Sequence, residues 1–172
     1  MAKKFKSQYK NRPTKSSRET EEFGGGKKGL MICENCKVFY YKKSWHHDAD
    51  AFIAKREDKD LPVNFTACPA CKMIASHQYE GKILIKNIPE KVKFELLGLI
   101  KGFCERAYSR DPLDRLIEIK DGGADLVVTL TENELTNKLT NKIKETFKKV
   151  KKKIVFSSEP SDVALAVIEF FE

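Results

Sequence analysis

Two Cys-x-x-Cys pairs constrain this chain more than any other feature of its sequence. Cys33 and Cys36 form the first pair, and Cys68 and Cys71 form the second after 31 intervening residues. Two such pairs can surround one zinc ion with four thiolates in a tetrahedron, as in a zinc ribbon or a treble-clef-like module. A four-thiolate site leaves no open coordination position, so the metal is expected to stabilise a fold rather than to catalyse a reaction.

The same four cysteines could instead form disulfides or a redox centre. A Cys-x-x-Cys disulfide is strained, and one redox pair would leave the second pair unexplained. The N-terminal residues are basic but lack the apolar stretch of a secretory signal, and no apolar run is long enough to span a membrane. We therefore expect a cytoplasmic protein, and in that compartment spaced cysteines more often bind metal than form disulfides. Structural zinc is the favoured interpretation.

Charge and composition divide the 172 residues into three parts: a tail at 1–29, a zinc-ribbon module at 30–80 and an α+β domain at 81–172. The tail carries nine lysines and arginines against three glutamates, which is +6 of the chain's net charge of +8. It holds few bulky apolar residues, so it is expected to be disordered when free. A flexible basic arm commonly contacts a phosphate backbone, and a solubility tail without a partner is the alternative.

The zinc module is predicted to contain strands at 30–32 and 37–41, a helical turn at 48–57 and an extended segment at 61–65. His46, His47 and His77 lie near the cysteine pairs, but four thiolates already satisfy zinc, so no histidine is expected to be a ligand. The stretch from Phe39 to Trp45 mixes aromatic residues with lysines. It could stack bases and contact phosphates, or it could be the small core of the module.

The third part is predicted to have the order of a ferredoxin-like fold. Its elements are a strand at 82–86, a helix opened by Pro89 and Glu90 that ends before Asp111, strands at 113–120 and 124–131, a helix capped by Thr131, and strands at 152–156 and 163–171. Thr131 and Glu134 match a capping box. The prediction is an α+β fold with β-α-β-β-α-β order, an added C-terminal strand, and both helices on one sheet face.

No group of side chains in the sequence suggests catalysis. No serine, histidine or acid is arranged for nucleophilic chemistry, and Cys104 lies on the predicted buried face of a helix as a small core residue. The basic residues instead suggest RNA binding. The candidate RNA contacts are Lys3, Lys4, Lys6, Lys10, Arg12, Lys27, Lys28, Lys42, Lys43, Lys148, Lys149, Lys151, Lys152 and Lys153.

The order of parts, together with residues 96–131, resembles a known family. The segment Ser109-Arg110-Asp111-Pro112-Leu113-Asp114-Arg115-Leu116, followed by Asp121-Gly122-Gly123, is similar to the domain after the zinc region of the nonsense-mediated-decay-three family of large-ribosomal-subunit adaptors. Short bacterial relatives of that family share the order of basic tail, cysteine pairs and α+β unit. The likeness covers roughly residues 31–171.

The resemblance implies a non-enzymatic zinc protein associated with the ribosome or with a large-subunit precursor. It implies Cys33, Cys36, Cys68 and Cys71 as zinc ligands, and Asp111, Pro112 and Arg115 as a structural signature. The adaptor family has more cysteine pairs and further β-rich domains, which this chain lacks. The expected partners are ribosomal RNA and ribosomal proteins, with no membrane and no small-molecule substrate. The alternative is a protein–protein adaptor that uses its ferredoxin-like sheet.

Overall fold

The computed structural model describes residues 29–55, 61–156 and 163–171. The predicted tail at 1–29 lies outside these ranges except for Gly29. The strands are β1 (Leu30–Cys33), β2 (Phe39–Tyr41), β3 (Ser44–His46), β4 (Val63–Thr66), β5 (Gly81–Lys86), β6 (Leu116–Asp121), β7 (Leu126–Leu130), β8 (Val150–Phe156) and β9 (Ala164–Phe170). The helices are α1 (Ala49–Lys55), α2 (Pro69–Ser76), α3 (Glu90–Arg110) and α4 (Asn133–Thr146).

The first four strands form a small mixed sheet in the order β3-β2-β1-β4. β1 and β2 are antiparallel, as are β2 and β3, whereas β4 runs parallel to β1 with Leu30 opposite Val63. Leu30, Ile32 and Phe39 form a core with Ala49 at the start of α1. The predicted helical turn in this region is therefore a short helix that packs on one face of the sheet.

The second sheet has five strands in the order β6-β7-β5-β9-β8. A ferredoxin-like order would put β8 beside β5, but β9 occupies that place, parallel to β5 and antiparallel to β8. The ferredoxin-like order is therefore not confirmed, and the last strand lies inside the sheet rather than at its edge. The sequences explain the exchange, because the lysines of β8 suit an edge strand while the alternating apolar residues of β9 suit an interior one.

Both long helices lie on one face of this sheet, as predicted. Ile83 and Ile85 of β5 share one core with Leu96 and Ile100 of α3 and with Leu139 of α4. The alternating burial of β5, β7 and β9 separates this helix-covered face from an open face. The α+β class is confirmed, with two sheets and four helices in the described residues.

The predicted capping box at Thr131 is wrong. α4 starts at Asn133 with Glu132 at the N-cap, and the Thr131 side chain points elsewhere. Its hydroxyl donates to the carbonyl of Leu113 at 2.6 Å and accepts from the backbone N–H of Arg115 at 2.8 Å. Thr131 therefore fixes the segment between α3 and β6, and tertiary contacts decide the use of its hydroxyl over the local motif.

None of the helices in the described ranges combines the length and the apolar composition needed to cross a bilayer.

Candidate metal centre

The four cysteines meet at one end of the small sheet. Cys33 is the last residue of β1, and Cys36 lies in the turn that leads toward β2. Cys68 is the N-cap of α2, and Cys71 lies in the first turn of that helix. The second pair therefore starts a helix instead of forming a knuckle between strands, which corrects the zinc-ribbon prediction. A knuckle, a hairpin and a helix N-terminus form the treble-clef-like alternative.

The four sulfur atoms are close enough to hold one ion. All lie within 4.8 Å of one another, and the Sγ atoms of Cys36 and Cys68 are 3.7 Å apart. A tetrahedral zinc ion with Zn–S bonds of about 2.3 Å places its sulfurs about 3.8 Å apart. Five cysteines in the described residues are free of disulfides, and four of them form this cluster. Donor type, number and spacing therefore fit one zinc ion.

Backbone N–H groups point at the sulfurs, as expected for thiolates. The N–H of Cys68 donates to Cys33 Sγ at 3.2 Å, and the N–H of Cys71 donates to Cys68 Sγ at 3.4 Å. The positive end of the α2 dipole also favours negative charge at the second pair. Burial raises the pKa of Cys33, but backbone hydrogen bonds from Cys68, Cys36 and Asn35 outweigh it and lower the pKa to about 6.

The second pair titrates in the opposite direction. Burial raises the pKa of Cys71 to about 11, and burial likewise raises the pKa of Cys68. Zinc binds thiolates, so an incoming ion must displace these protons. Metal binding at this site therefore releases protons, and it is favoured as the pH rises.

Arg115 places a positive charge beside the cluster. Its Nη1 donates to Cys71 Sγ at 3.7 Å, its Nε donates to the carbonyl of Pro112 at 2.9 Å, and its guanidinium carbon lies 4.5 Å from the Tyr108 ring centroid. Burial lowers the pKa of Arg115, but its interactions with the nearby Cys36, Tyr108 and Cys71 outweigh it and raise that pKa. A zinc ion held by four thiolates would carry a net charge of −2, which this cation would partly neutralise.

The cysteine cluster is also packed against the C-terminal part of the chain. Leu113 lies against the buried cluster that contains Cys33, Val38 and Trp45. The His47 ring nitrogen Nε2 is 2.6 Å from the carbonyl oxygen of Tyr108, near the end of α3. The segment that carries the family resemblance, at 109–116, thus has a physical role, because it holds the metal module against α3.

No histidine belongs to the candidate metal site, which consists of cysteines alone in the described residues. His46 Nε2 lies 3.3 Å from the carbonyl oxygen of Tyr41, and His77 ends α2 in a left-handed conformation.

The aromatic residues of the stretch from Phe39 to Trp45 belong largely to the core. Phe39 and Trp45 are buried, and the Phe39 ring stacks on Phe52 at 4.5 Å.

The predicted RNA contacts fall into three groups. Lys3, Lys4, Lys6, Lys10, Arg12, Lys27 and Lys28 lie outside the described residues. Lys42 and Lys43 form the exposed two-residue turn between β2 and β3.

The lysines at 148–153 do not form a single patch. Lys148 and Lys149 lie in the connection from α4 to β8. Lys151 and Lys153 lie on the open face of the edge strand β8, opposite Glu169 and Val167. Lys152 points toward the helices and donates to the side-chain oxygen of Asn141. Alternation along β8 places Lys152 on the opposite face of the sheet from Lys151 and Lys153.

The structure shows a cluster of four cysteines, spaced so that it could hold one zinc ion, packed against an α+β unit. Searches against protein-family models, curated proteins and solved structures found no match. The resemblance to the nonsense-mediated-decay-three family therefore stays a prediction from the sequence.

Proposed function

We propose that this chain is a non-enzymatic zinc-binding protein that associates with RNA, with the ribosome or a large-subunit precursor as its expected partner in the cytoplasm. One structural zinc ion held by Cys33, Cys36, Cys68 and Cys71 is part of this proposal. The sulfur spacing, the N–H donors and the cation at Arg115 support the metal. A complete thiolate set leaves the ion no open position for substrate, which supports a structural role.

The turn between β2 and β3 is the observation that carries the RNA proposal. Tyr41 pairs with Ser44, so Lys42 and Lys43 are the two central residues of a tight hairpin turn. Both have positive φ values, 49° and 67°. Turns of this type favour Asn-Gly, because side chains with a Cβ are strained in the left-handed region by roughly 1–2 kcal/mol per residue.

Lysine is thus present at two positions where local conformation favours other residues. The turn exposes both ammonium groups, and Lys42 Nζ lies 5.3 Å from the Tyr41 ring centroid. A strained residue in an exposed turn suggests a functional constraint. Two adjacent cations at the tip of a hairpin suit the phosphate backbone of a nucleic acid, and the sequence contains further basic residues in the tail and in β8.

A double substitution separates function from stability. Lys42→Asn combined with Lys43→Gly removes the backbone strain of the turn, so the variant is expected to melt at a higher temperature than the wild type. RNA binding is expected to weaken, and the slope of log Kd against log salt should fall by about 0.7–0.9 for each lost phosphate contact. Fluorescence anisotropy with labelled large-subunit rRNA fragments, at several salt concentrations, measures both effects.

Lys55→Gln with Lys72→Gln is the matched control, because it removes two exposed lysines from the same part of the chain without changing the turn. Equal weakening by both double variants would mean that only total charge matters and would contradict a role for the turn. Binding that does not change between low and moderate salt would contradict the RNA proposal itself. Crosslinking and sequencing of RNA from native lysate tests the ribosomal part, for which enrichment of large-subunit rRNA is expected.

A protein–protein adaptor is the alternative function, and the open face of the second sheet supports it. Val155 and Leu165 lie opposite each other there and are exposed, and Leu84 and Val167 lie on the same face. Exposed neighbouring apolar residues suit a protein partner. A partner that co-purifies after nuclease treatment and in high salt would favour the adaptor over the RNA-binding function.

A further inference from the structure

A cleft of about 840 Å³ lies beside the connection from α4 to β8, away from the cysteines. It is formed where the start of α3, the end of α4 and the end of β9 come together. Its volume lies within the range of small-ligand sites, about 300–1,000 Å³. The side chains that give it its chemical character are Phe147, Phe170, Phe171, Lys91, Lys148 and Lys149.

The aromatic part of the cleft combines a fixed floor with an exposed wall. Phe147 and Phe170 are buried and pack in a T-shaped arrangement with ring centroids 5.6 Å apart. Phe171 is 45% exposed, and Lys151 Nζ lies 5.6 Å from its ring centroid. Lys151 does not line the cleft, so it contacts the Phe171 ring from outside. An exposed ring at the rim of an apolar floor is suited to stack on a flat aromatic ligand.

The charged part of the cleft is entirely basic. Lys91, Lys148 and Lys149 are exposed, and none of them pairs with a carboxylate in residues 29–55, 61–156 or 163–171. No described acidic residue lines the cleft. Pro89 lies at the rim as the N-cap of the 21-residue helix α3 and supplies no side-chain cap. Glu90 in the first turn of that helix offsets its positive end, so the three lysines provide the attraction for an anion.

The geometry points to a cleft that binds an unpaired nucleotide of single-stranded RNA, with its base against Phe171 and the phenylalanine floor and its phosphates near the three lysines. This inference rests on the proposed RNA-binding function and adds the kind of RNA and the place where it is held. Bases within a duplex are stacked and paired, so only a single-stranded segment can place one base in a cleft. An acidic peptide would satisfy the lysines but would leave the aromatic surface without a stacking partner.

The test uses the full chain and a fluorescein-labelled dodecamer of uridylate. Phe171→Ala removes the stacking wall and is expected to weaken binding by at least about 5-fold, because loss of one base–aromatic stack has an effect of this size. Lys148→Gln with Lys149→Gln is expected to lower the slope of log Kd against log salt by about 1.4, since each single-strand phosphate contact contributes about 0.7.

Matched controls exist for both variants. Phe65→Ala removes another exposed phenylalanine, 63% exposed on β4, and Lys101→Gln with Lys144→Gln removes two exposed lysines from α3 and α4 that do not line the cleft. Both controls are expected to bind the dodecamer like the wild type. Circular dichroism melts verify that each variant folds. If Phe171→Ala does not fold, crosslinking of the wild type to 4-thiouridine RNA replaces it, with crosslinks expected at Phe147, Phe170 or Phe171.

The remaining outcomes separate the cleft from the general function. If neither cleft variant binds the dodecamer more weakly than the wild type, or if crosslinks fall only elsewhere, the proposed role of the cleft is wrong. The general RNA-binding proposal then still stands. Binding of duplex RNA without binding of the dodecamer would lead to the same conclusion. Displacement of the dodecamer by uridine monophosphate at equal nucleotide concentration would identify a free-nucleotide site and overturn the RNA assignment. Failure to bind any RNA would overturn both proposals.

Discussion

At the scale of single residues, Arg115 connects the metal centre to the rest of the chain. Its three nitrogen atoms have different surroundings: Nε donates to Pro112, Nη1 donates to Cys71 Sγ, and Nη2 is buried without a partner in the described residues. Arg115 as a whole is half-buried, and a buried N–H group without an acceptor is unfavourable unless negative charge lies nearby. Thiolates around a zinc ion supply that charge, so the environment of Arg115 fits a metal-bound cluster.

Replacing Arg115 by methionine should therefore weaken zinc binding. Methionine keeps much of the apolar stem but removes the positive charge and the N–H groups beside Cys71. Loss of an outer-shell partner of a metal ligand lowers metal affinity by about 10- to 100-fold. Competition with a chromophoric chelator at constant pH measures the change in affinity.

Arg110→Met is the matched control, because Arg110 is exposed at the end of α3 and takes no part in the cysteine cluster. It should bind zinc like the wild type. If Arg115→Met loses stability yet binds zinc with unchanged affinity, Arg115 contributes packing against Tyr108 and not charge at the metal centre.

At the scale of elements, the contact between β5 and α4 allows no side chain at Gly81. A Cβ built there would lie 1.7 Å from Thr136 Oγ1 and 3.0 Å from the carbonyl oxygen of Glu132. Thr136 is buried and its hydroxyl donates to that carbonyl, so neither atom can move freely. Gly81→Ala is expected to destabilise the protein by about 1–3 kcal/mol, as measured by urea unfolding, through the strain of overpacking.

Gly98→Ala provides the opposite case with the same chemical change. Gly98 lies in the exposed interior of α3, and a Cβ there would meet nothing within 4 Å. Alanine has the higher helix propensity, so this variant should be more stable by up to about 1 kcal/mol. Equal effects of the two substitutions would show that backbone entropy and not the close approach of α4 determines the result at Gly81.

The bounds of α3 show how far the sequence predicts elements. Pro89 and Glu90 predict its start and Asp111-Pro112 its end, and the helix runs from Glu90 to Arg110 as these local signals require. The cysteine cluster is predictable too, since the two Cys-x-x-Cys pairs indicate which four cysteines come together. The helix bounds follow from adjacent residues, and each cysteine pair is recognised by its own short spacing, so both features can be predicted from the sequence.

Features that depend on distant parts of the chain were predicted less well. The place of β9 between β5 and β8 depends on a comparison of two strands rather than on a local pattern, because the alternating apolar residues of β9 suit an interior position and the lysines of β8 suit an edge. The start of α2, in contrast, has a local signal in the sequence that the zinc-ribbon prediction did not use. Pro69 directly follows Cys68, and proline at the first helical position indicates that the second cysteine pair begins a helix.

At the scale of the whole molecule, the described residues contain separate apolar cores. The sheet of β5–β9 has its own large core with α3 and α4, whereas β1–β4 surround two small clusters, one of which contains the cysteines. A unit as small as the first one buries little apolar surface, so its fold is marginal without an additional constraint. Zinc is that constraint in the proposed function, so the two units should differ in their response to loss of metal.

Removal of zinc by a chelator should unfold the first unit and leave the second folded. Amide hydrogen exchange followed by mass spectrometry is expected to show loss of protection in β1, β2 and β4, because their small cores depend on the thiolate cluster. Protection should persist in β5, β7 and β9, which belong to the large core. Cys33→Ser should produce the same pattern without a chelator, with less than one zinc ion bound per chain.

Cys104→Ala is the control for the cysteine substitution. Cys104 is a buried core residue of α3 outside the metal cluster, and burial raises the pKa of its thiol to about 12. The alanine variant should keep one zinc ion per chain and an unchanged exchange pattern in β1–β4. Simultaneous loss of protection in both sheets after chelation would contradict the separation of the cores. It would mean that Leu113, Arg115 and His47 couple the two units into one cooperative fold.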